Sequence, residues 1–274
     1  MKLNKGIIYL PKNRKDLPVK YLCICAHQDD CEIMAIHGIL KGYYSKSSSF
    51  ALVETTDGRG SVRNGKYKNF SDTQMMEVRI KEQELASEIG RYHSLYMLNY
   101  SSSEAKDDTN EDIINEYIKI IKDLKPEVIY THSILDKHKT HVAVAIKVIE
   151  AIKRLDNKDR PKVIYGCEVW RSLDWIKDER KIGLDVSRNK RLQKKLLSCF
   201  ESQNLGGKDY INSTIGRRYQ NATYYRSHDL DGCKMMSYVV DLKPLVDQPN
   251  LTIKEYALSF VDDLQKEVEE MFKK

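Results

Sequence analysis

The chain has 274 residues, 41% of them hydrophobic and 31% charged, a profile that excludes a disordered segment and suits a soluble globular protein. Its 46 basic and 40 acidic residues leave a net charge of +6, spread along the chain rather than gathered in a stripe, which is only a weak pointer to nucleic acid or an anionic surface, and no nucleic-acid partner is expected. No apolar run approaches the roughly 18 residues of a membrane span, and the stretch 6–10 is too short for a signal-peptide core.

In chain order, "KYLCICA" (20–26) predicts a strand and "CEIMAIHGILKGYYS" (31–45) a helix. "FALVETT" (50–56) predicts a second strand that ends at the turn "DGRGS". "TQMMEVRIKEQELASEIG" predicts a helix with Met75, Val78, Leu85 and Ile89 on its apolar face and Gly90 as its stop. "LYML" (95–98) gives a third strand, and Ile113, Ile114, Tyr117, Ile121 and Leu124 place a helix before Pro126. "EVIYTH" (127–132) is a fourth strand. A helix with Val142, Ala145, Ile146, Ile149 and Ile152 on one face follows it, and "KVIYGCEVW" (162–170) is a fifth strand.

This alternation predicts an α/β fold: a Rossmann-like three-layer αβα sandwich with a mostly parallel sheet. Ligands of such sheets collect at the carboxyl ends of the strands. The polar stretches "HQDD", "DGRGS" and "THSILDKHKTH" follow strands one, two and four, so one sheet edge should gather all three. After residue 171 the pattern weakens. "NKRLQKKLLSCFESQ" and residues 251–274 predict two further helices, the last with Ala257, Phe260, Leu264, Val268 and Met271 on one stripe. That stripe faces either its own domain or a second subunit, which leaves a homo-oligomer open. We expect a single domain over 1–274, with a core of about 18–170 and a C-terminal elaboration over 171–274. The six cysteines include no C-x-x-C pair and read as reduced thiols, from which a cytoplasmic location is expected.

The chemistry concentrates in "CAHQDDCE" (25–32). Neighbouring carboxylates repel, so Asp29 and Asp30 either lie solvated on a loop, cap the helix that follows, or flank a positive group. His132, His138 and His141 fall within ten residues, and His138 and His141 stand three apart where a helix opens. Together with His27 and an aspartate they supply neutral nitrogens and a carboxylate oxygen, the donor set of a catalytic zinc site. The spacing alone leaves a solvated loop or a structural metal site open as well. A nucleotide-binding enzyme would lead from strand one into G-x-G-x-x-G; this chain leads into HQDD.

"AHQDDCE" after strand one and "DKHKTH" at a later helix start resemble the signatures of the LmbE-like, or PIG-L, family of metal-dependent N-acetylglucosaminyl deacetylases. "TTDGRGS", the arginine of "MMEVRIKEQELASEIG", "CEVWR" and "GRRYQNATYYRSH" are similar to further family landmarks in family order, so the likeness covers roughly 18–228. The resemblance implies that His27, Asp30 and His141 bind the metal, that Asp29 is the general base, and that His138 is the acid or oxyanion stabiliser. It implies a zinc-dependent N-deacetylase that frees acetate from an N-acetylated amino sugar or sugar conjugate, a small-molecule substrate. Two histidines and a carboxylate suit zinc and ferrous iron alike. Arg79, Trp170, Arg171, Asn221 and Tyr224 are the expected substrate contacts. The alternatives are a metal-binding relative without catalysis and a metallohydrolase of another amide or ester.

Four departures from the family pattern stand out. Gln28 replaces the usual proline, which should loosen the turn, and Cys31 replaces the usual glutamate, although Glu32 follows. Thr140 stands where many members carry an aspartate that would support the acid histidine, so either Asp136 takes that part or His138 is a weaker acid. "NYSSSE" lacks the acid expected after the third strand.

Overall fold

Leu22, Cys23, Ile24 and Cys25 are all fully buried, because the strand that carries them lies mid-sheet with apolar packing on both faces. The computed structural model, which describes residues 2–273, has eight strands. They are β1 (Ile7–Tyr9), β2 (Val19–Cys25), β3 (Ser49–Thr56), β4 (Leu95–Tyr100), β5 (Val128–His132), β6 (Val163–Cys167), β7 (Lys181–Asp185) and β8 (Met236–Asp241). The first helices are α1 (Asp30–Met34), α2 (Ile36–Tyr44), α3 (Asp72–Gly90), α4 (Ser102–Lys106), α5 (Glu111–Leu124) and α6 (Lys139–Lys153). They are followed by α7 (Lys190–Leu197), α8 (Glu201–Asn204), α9 (Tyr210–Thr223), α10 (Pro244–Asp247) and α11 (Ile253–Met271).

All eight strands join one mostly parallel sheet in the order β1-β4-β3-β2-β5-β6-β8-β7. The parallel stretch β4-β3-β2-β5-β6 reads 3-2-1-4-5 when its strands are counted along the chain. The chain's direction of winding therefore reverses between β2 and β5, where the crossovers diverge and leave a crevice beyond the strand ends. β1 is antiparallel to β4, and β8 is antiparallel to both β6 and β7. Alternate residues of β2 enter different cores. Leu22 and Ile24 pack with Ile113, Ile129, Val144 and Val148, whereas Cys23 and Cys25 pack with Ile36, Ile39, Leu52 and Ala86. No helix among the described residues is long and apolar enough to cross a membrane.

Several elements differ from the sequence reading. The helix expected over 31–45 is two helices, because Ala35 (φ −105°, ψ 19°) leaves the helical region and ends α1. The face expected to bury α3 is also wrong: Met75 is buried, but Leu85 is 51% exposed. The helix instead buries Arg79, Glu82, Gln83 and Ser87 with Ala86, a polar face that an apolar periodicity cannot reveal. On α6, Ile146 is exposed rather than buried, and Lys147 is buried, its ammonium donating to the Asp107 (2.8 Å) and Asn110 (3.3 Å) carbonyls. The segment 189–203 divides into α7 and α8, and the antiparallel strands β1, β7 and β8 were not anticipated. In α11, Phe260 is buried and Ala257 half-buried, but Val268 and Met271 are 45% and 72% exposed, so the stripe outruns the body it packs on.

Candidate functional site

β2 and β5 are hydrogen-bonded neighbours, so the residues just beyond Cys25 and those around His132 must meet. The junction is tied directly: the Ala26 N–H donates to His132 Nε2 at 2.9 Å. Beyond Ala26 the chain turns sharply. Asp30 Oδ2 accepts from the His27 N–H at 2.8 Å, and Gln28 Nε2 donates to the Thr56 carbonyl at 2.9 Å. Gln28 therefore pins this turn to β3, contrary to the expectation that losing proline would loosen it. Asp29 takes a left-handed backbone (φ 84°), and its side chain makes no capping bond to α1, which removes the helix-cap reading.

Three donor atoms converge here. His27 Nδ1 is 3.2 Å from His141 Nε2 and 3.2 Å from Asp30 Oδ2, and His141 Nε2 is 3.3 Å from Asp30 Oδ2. An ion with bonds of about 2.05 Å in tetrahedral geometry spaces its ligands about 3.3 Å apart, so this triangle has the size a zinc-like cation requires. The protons say the same. His141 Nδ1 donates to Asp136 Oδ2 (3.3 Å), which leaves Nε2 a bare lone pair facing the Asp30 carboxylate. His27 Nδ1, 3.2 Å from each of these two atoms, has one position to offer them, and a cation at the centre of the triangle would answer all three. His138 joins His27 and His141 in a second group whose ligand atoms lie within 4.8 Å of one another, and its ring centre lies 5.0 Å from that of His27 and 4.4 Å from that of His141.

The electrostatics fit that donor set. Burial pushes His141 down to about 4 and also lowers His138, and the positive end of α6, where both sit, acts in the same direction. Both rings are thus neutral near pH 7. Burial would raise Asp30, but the imidazoles of His141 and His132 hold it well below the usual carboxylate range. Burial raises Asp29 to about 6 against the pull of Arg79, whose Nη2 donates to Asp29 Oδ2 at 2.8 Å and to the Gln28 carbonyl. Two adjacent acids therefore sit in different electrostatic states, one fully ionised and one basic enough to take a proton.

His27, Asp29, Asp30, Arg79, His138, Thr140, Trp170 and Tyr210 line one cleft of about 350 Å³. Arg79 reaches it only at its edge, because it is 1% exposed and its Nη1 is held by Glu82 Oε2 at 2.9 Å. Three other expected substrate contacts are not in this lining. Asn221 is buried, its Nδ2 bonded to Glu168 Oε1 at 2.5 Å; Tyr224 is 75% exposed at the end of α9; Arg171 is exposed beside Trp170. Asp136 makes no bond to the His138 ring. It takes the His138 backbone N–H at 3.0 Å instead, and His138 Nδ1 is buried without a partner among the described residues. Thr140 therefore leaves the acid candidate without a carboxylate.

The sequence reading assigned no part to His132 and only a conditional one to Asp136. His132 Nε2 lies 3.4 Å from Asp30 Oδ2, and its ring stacks on that of His141 at 3.9 Å. Its position as the last residue of a central strand was the available signal. Gly58 of the "DGRGS" turn also acts locally. It has φ 72°, and an added Cβ would strike Gln28 Oε1 and lie 3.0 Å from Arg79 Cγ. Asp57 holds the turn, accepting from the Arg59 N–H at 3.1 Å.

Residues 22–152 match the family described as PIG-L: GlcNAc-PI de-N-acetylase. No curated protein matches the chain. Among solved structures, it is similar to N,N'-diacetylchitobiose deacetylase from Pyrococcus horikoshii at 18% identity and a TM-score of 0.64, with 90% of this chain and 91% of that one covered. GalB, the 4-carboxy-2-hydroxymuconate hydratase from Pseudomonas putida KT2440, is 14% identical with a TM-score of 0.62, over 82% of this chain and 96% of its own. The zinc-inhibited form of teicoplanin deacetylase Orf2 is 13% identical with a TM-score of 0.55, over 81% and 98%. These identities establish a shared fold, and that fold serves a hydratase as well as deacetylases. The donor triangle and the histidines around it all fall between Leu22 and Ile152, and over those residues the chain carries a PIG-L family domain.

Proposed function

We propose that the protein is a metal-dependent hydrolase that removes the acetyl group from an N-acetylated amino sugar or sugar conjugate. The observation that carries this reading is the triangle of His27 Nδ1, Asp30 Oδ2 and His141 Nε2 with an elevated, Arg79-bound Asp29 beside it. His27, Asp30 and His141 would hold a divalent cation, zinc or ferrous iron. When bound, such an ion acidifies water and polarises an acyl oxygen.

The chain's own groups supply the rest. Asp29, raised by burial and fixed by Arg79, accepts the proton of the attacking water. Neutral His138 faces the same cleft and donates a hydrogen bond to the oxygen that gains charge. Lacking a carboxylate partner, His138 is a poor store for a proton, so the proton that leaves with the amine returns from Asp29. Trp170 offers an aromatic face to the sugar ring.

We also read the 3-2-1-4-5 parallel stretch, with a core on each face, as a Rossmann-like three-layer αβα sandwich. Residues 171–274 are then an elaboration of a single domain, since β7 and β8 extend the same sheet. Metal analysis of the purified protein, followed by acetate release from a panel of N-acetylated sugars with and without chelator, tests the function. Chelator-sensitive acetate release is expected. Bound metal without turnover of any amide or ester would leave a non-catalytic metal protein, and no metal at all would end the proposal.

A further inference from the structure

Charge that is scattered in the sequence is sorted by the fold. The span 186–200 holds five cations, Arg188, Lys190, Arg191, Lys194 and Lys195, and no acid. α7 buries Leu192, Leu196 and Leu197, so Lys190, Arg191, Lys194 and Lys195 share its outer face, and all four are exposed. Among the described residues none of the five cations has a carboxylate within 4.0 Å. Two tyrosines lie among them: the Arg188 guanidinium is 3.4 Å from the Tyr44 ring centre, and Lys190 Nζ is 4.7 Å from that of Tyr219.

α11 carries the opposite pattern, with six acids and two lysines in Ile253–Met271. Leu258, Val261, Val268 and, at the C-cap, Phe272 recur at helical spacing, and all four are exposed. Asp262 and Glu269 run beside this stripe, and among the described residues neither has a cation within 4.0 Å. Those acids repel an anionic surface. The stripe therefore calls for a partner that is cationic and still covers apolar side chains. The α7 face meets both needs, through its ammonium groups and through its lysine stems and tyrosine rings.

The two helices cannot meet within one chain. Leu192, Leu196 and Leu197 of α7 join the core on the Cys23 and Cys25 face of the sheet, whereas Phe260 of α11 joins the core on the Leu22 and Ile24 face. We infer that α11 of one copy docks on the α7 face of a second copy of this chain. Because the two surfaces lie on opposite faces of the sheet, a pair of chains cannot close both contacts between themselves. The contact runs head to tail and builds a ring or an open string of three or more copies. Nothing in it depends on the metal or on the reaction.

Analytical ultracentrifugation of the full chain over a dilution series tests this. Species of three or more chains should form at low salt and dissociate as salt is raised. Lys190→Glu/Lys194→Glu reverses one side of the contact and Asp262→Lys/Glu269→Lys the other. All four residues are exposed, and circular dichroism checks that each variant folds. Each variant alone should associate at least about tenfold more weakly than the parent. Mixing the two should restore assembly: the reversed α7 face of one meets the reversed α11 of the other, and the unaltered faces pair as in the parent. A chain that stays monomeric at every concentration overturns the inference, as does a closed dimer. So does an assembly indifferent to both variants, or a mixture that fails to reassemble.

Discussion

Asp136 accepts the Nδ1 proton of His141 at 3.3 Å, and the same oxygen takes the Trp170 backbone N–H at 3.1 Å. One carboxylate thereby sets the tautomer of a metal-ligand candidate and the position of the cleft's aromatic wall. Burial would raise Asp136, but the His141 ring and the His138 N–H hold it below the ordinary value, so it stays ionised. Asp136→Asn keeps the shape and removes the charge. Zinc affinity of the apoprotein, measured by chelator competition, should fall about 10- to 100-fold. Unchanged affinity would show that Asp136 only shapes the loop.

Asp29→Asn should lower kcat by about 10²- to 10⁴-fold while the protein still binds its metal, because Asp29 Oδ2 is engaged by Arg79 rather than by the donor triangle. The wild-type profile supplies the companion measurement. Only ionised Asp29 accepts a proton, so kcat/KM should fall as pH drops, with a midpoint no higher than about 6. A nearby cation can only move that midpoint down. An acid limb centred near neutrality would assign the base elsewhere.

Arg79 is a stability element as well as the partner of Asp29, the proposed base. It is 1% exposed and bonds Asp29 and Glu82, while Glu82 in turn accepts from the Ser202 N–H at 2.6 Å and the Ser202 hydroxyl at 2.8 Å. Arg79→Met strands two buried carboxylates and should cost about 3–5 kcal/mol in urea unfolding. A loss below 1 kcal/mol would mean that water replaces the guanidinium, and that α3 and α8 are not joined through it.

His37 should give the fold a pH dependence of its own. Burial pushes it down to about 4 from 6.5, and its Nδ1 meets the Tyr130 hydroxyl at 2.8 Å. The folded state thus prefers the neutral ring, and its contribution is complete above about pH 6.5 and lost as pH falls towards 4. Asp29 and Glu32, raised by burial to about 6 and 7, act with the opposite sign over much of that window. The informative quantity is therefore the difference between wild type and His37→Gln in midpoint denaturant concentration. That difference should narrow between pH 6.5 and 4; a constant difference would contradict it.

The parallel core was legible because buried strands such as "LCIC" and "ALVET" are short apolar runs closed by polar turns, and because three of those turns had to share an edge. The donor atoms followed from the same rule. What stayed hidden is polar and buried. The inner face of α3 carries Arg79, Glu82 and Gln83, which no search for apolar spacing selects, and its partners lie 50 to 120 residues away in the chain. Asn221 failed as a cleft residue for the reverse reason: its amide was needed by Glu168, a buried acid unseen in the sequence. β7 escaped because "KIGLD" opens on a lysine and carries a central glycine, so it shows too little alternation to announce a strand, whereas the apolar run "MSYVVD" of β8 was a signal the sequence did offer.

A side chain other than glycine is disfavoured at the backbone angles of Asp29, by about 1–2 kcal/mol. Asp29→Gly would relax that angle but would take from the buried Arg79 guanidinium one of its two carboxylate partners. The uncomfortable backbone at residue 29 is therefore held in place by the ion pair that its own side chain makes, so the turn and the guanidinium beneath it stand or fall together.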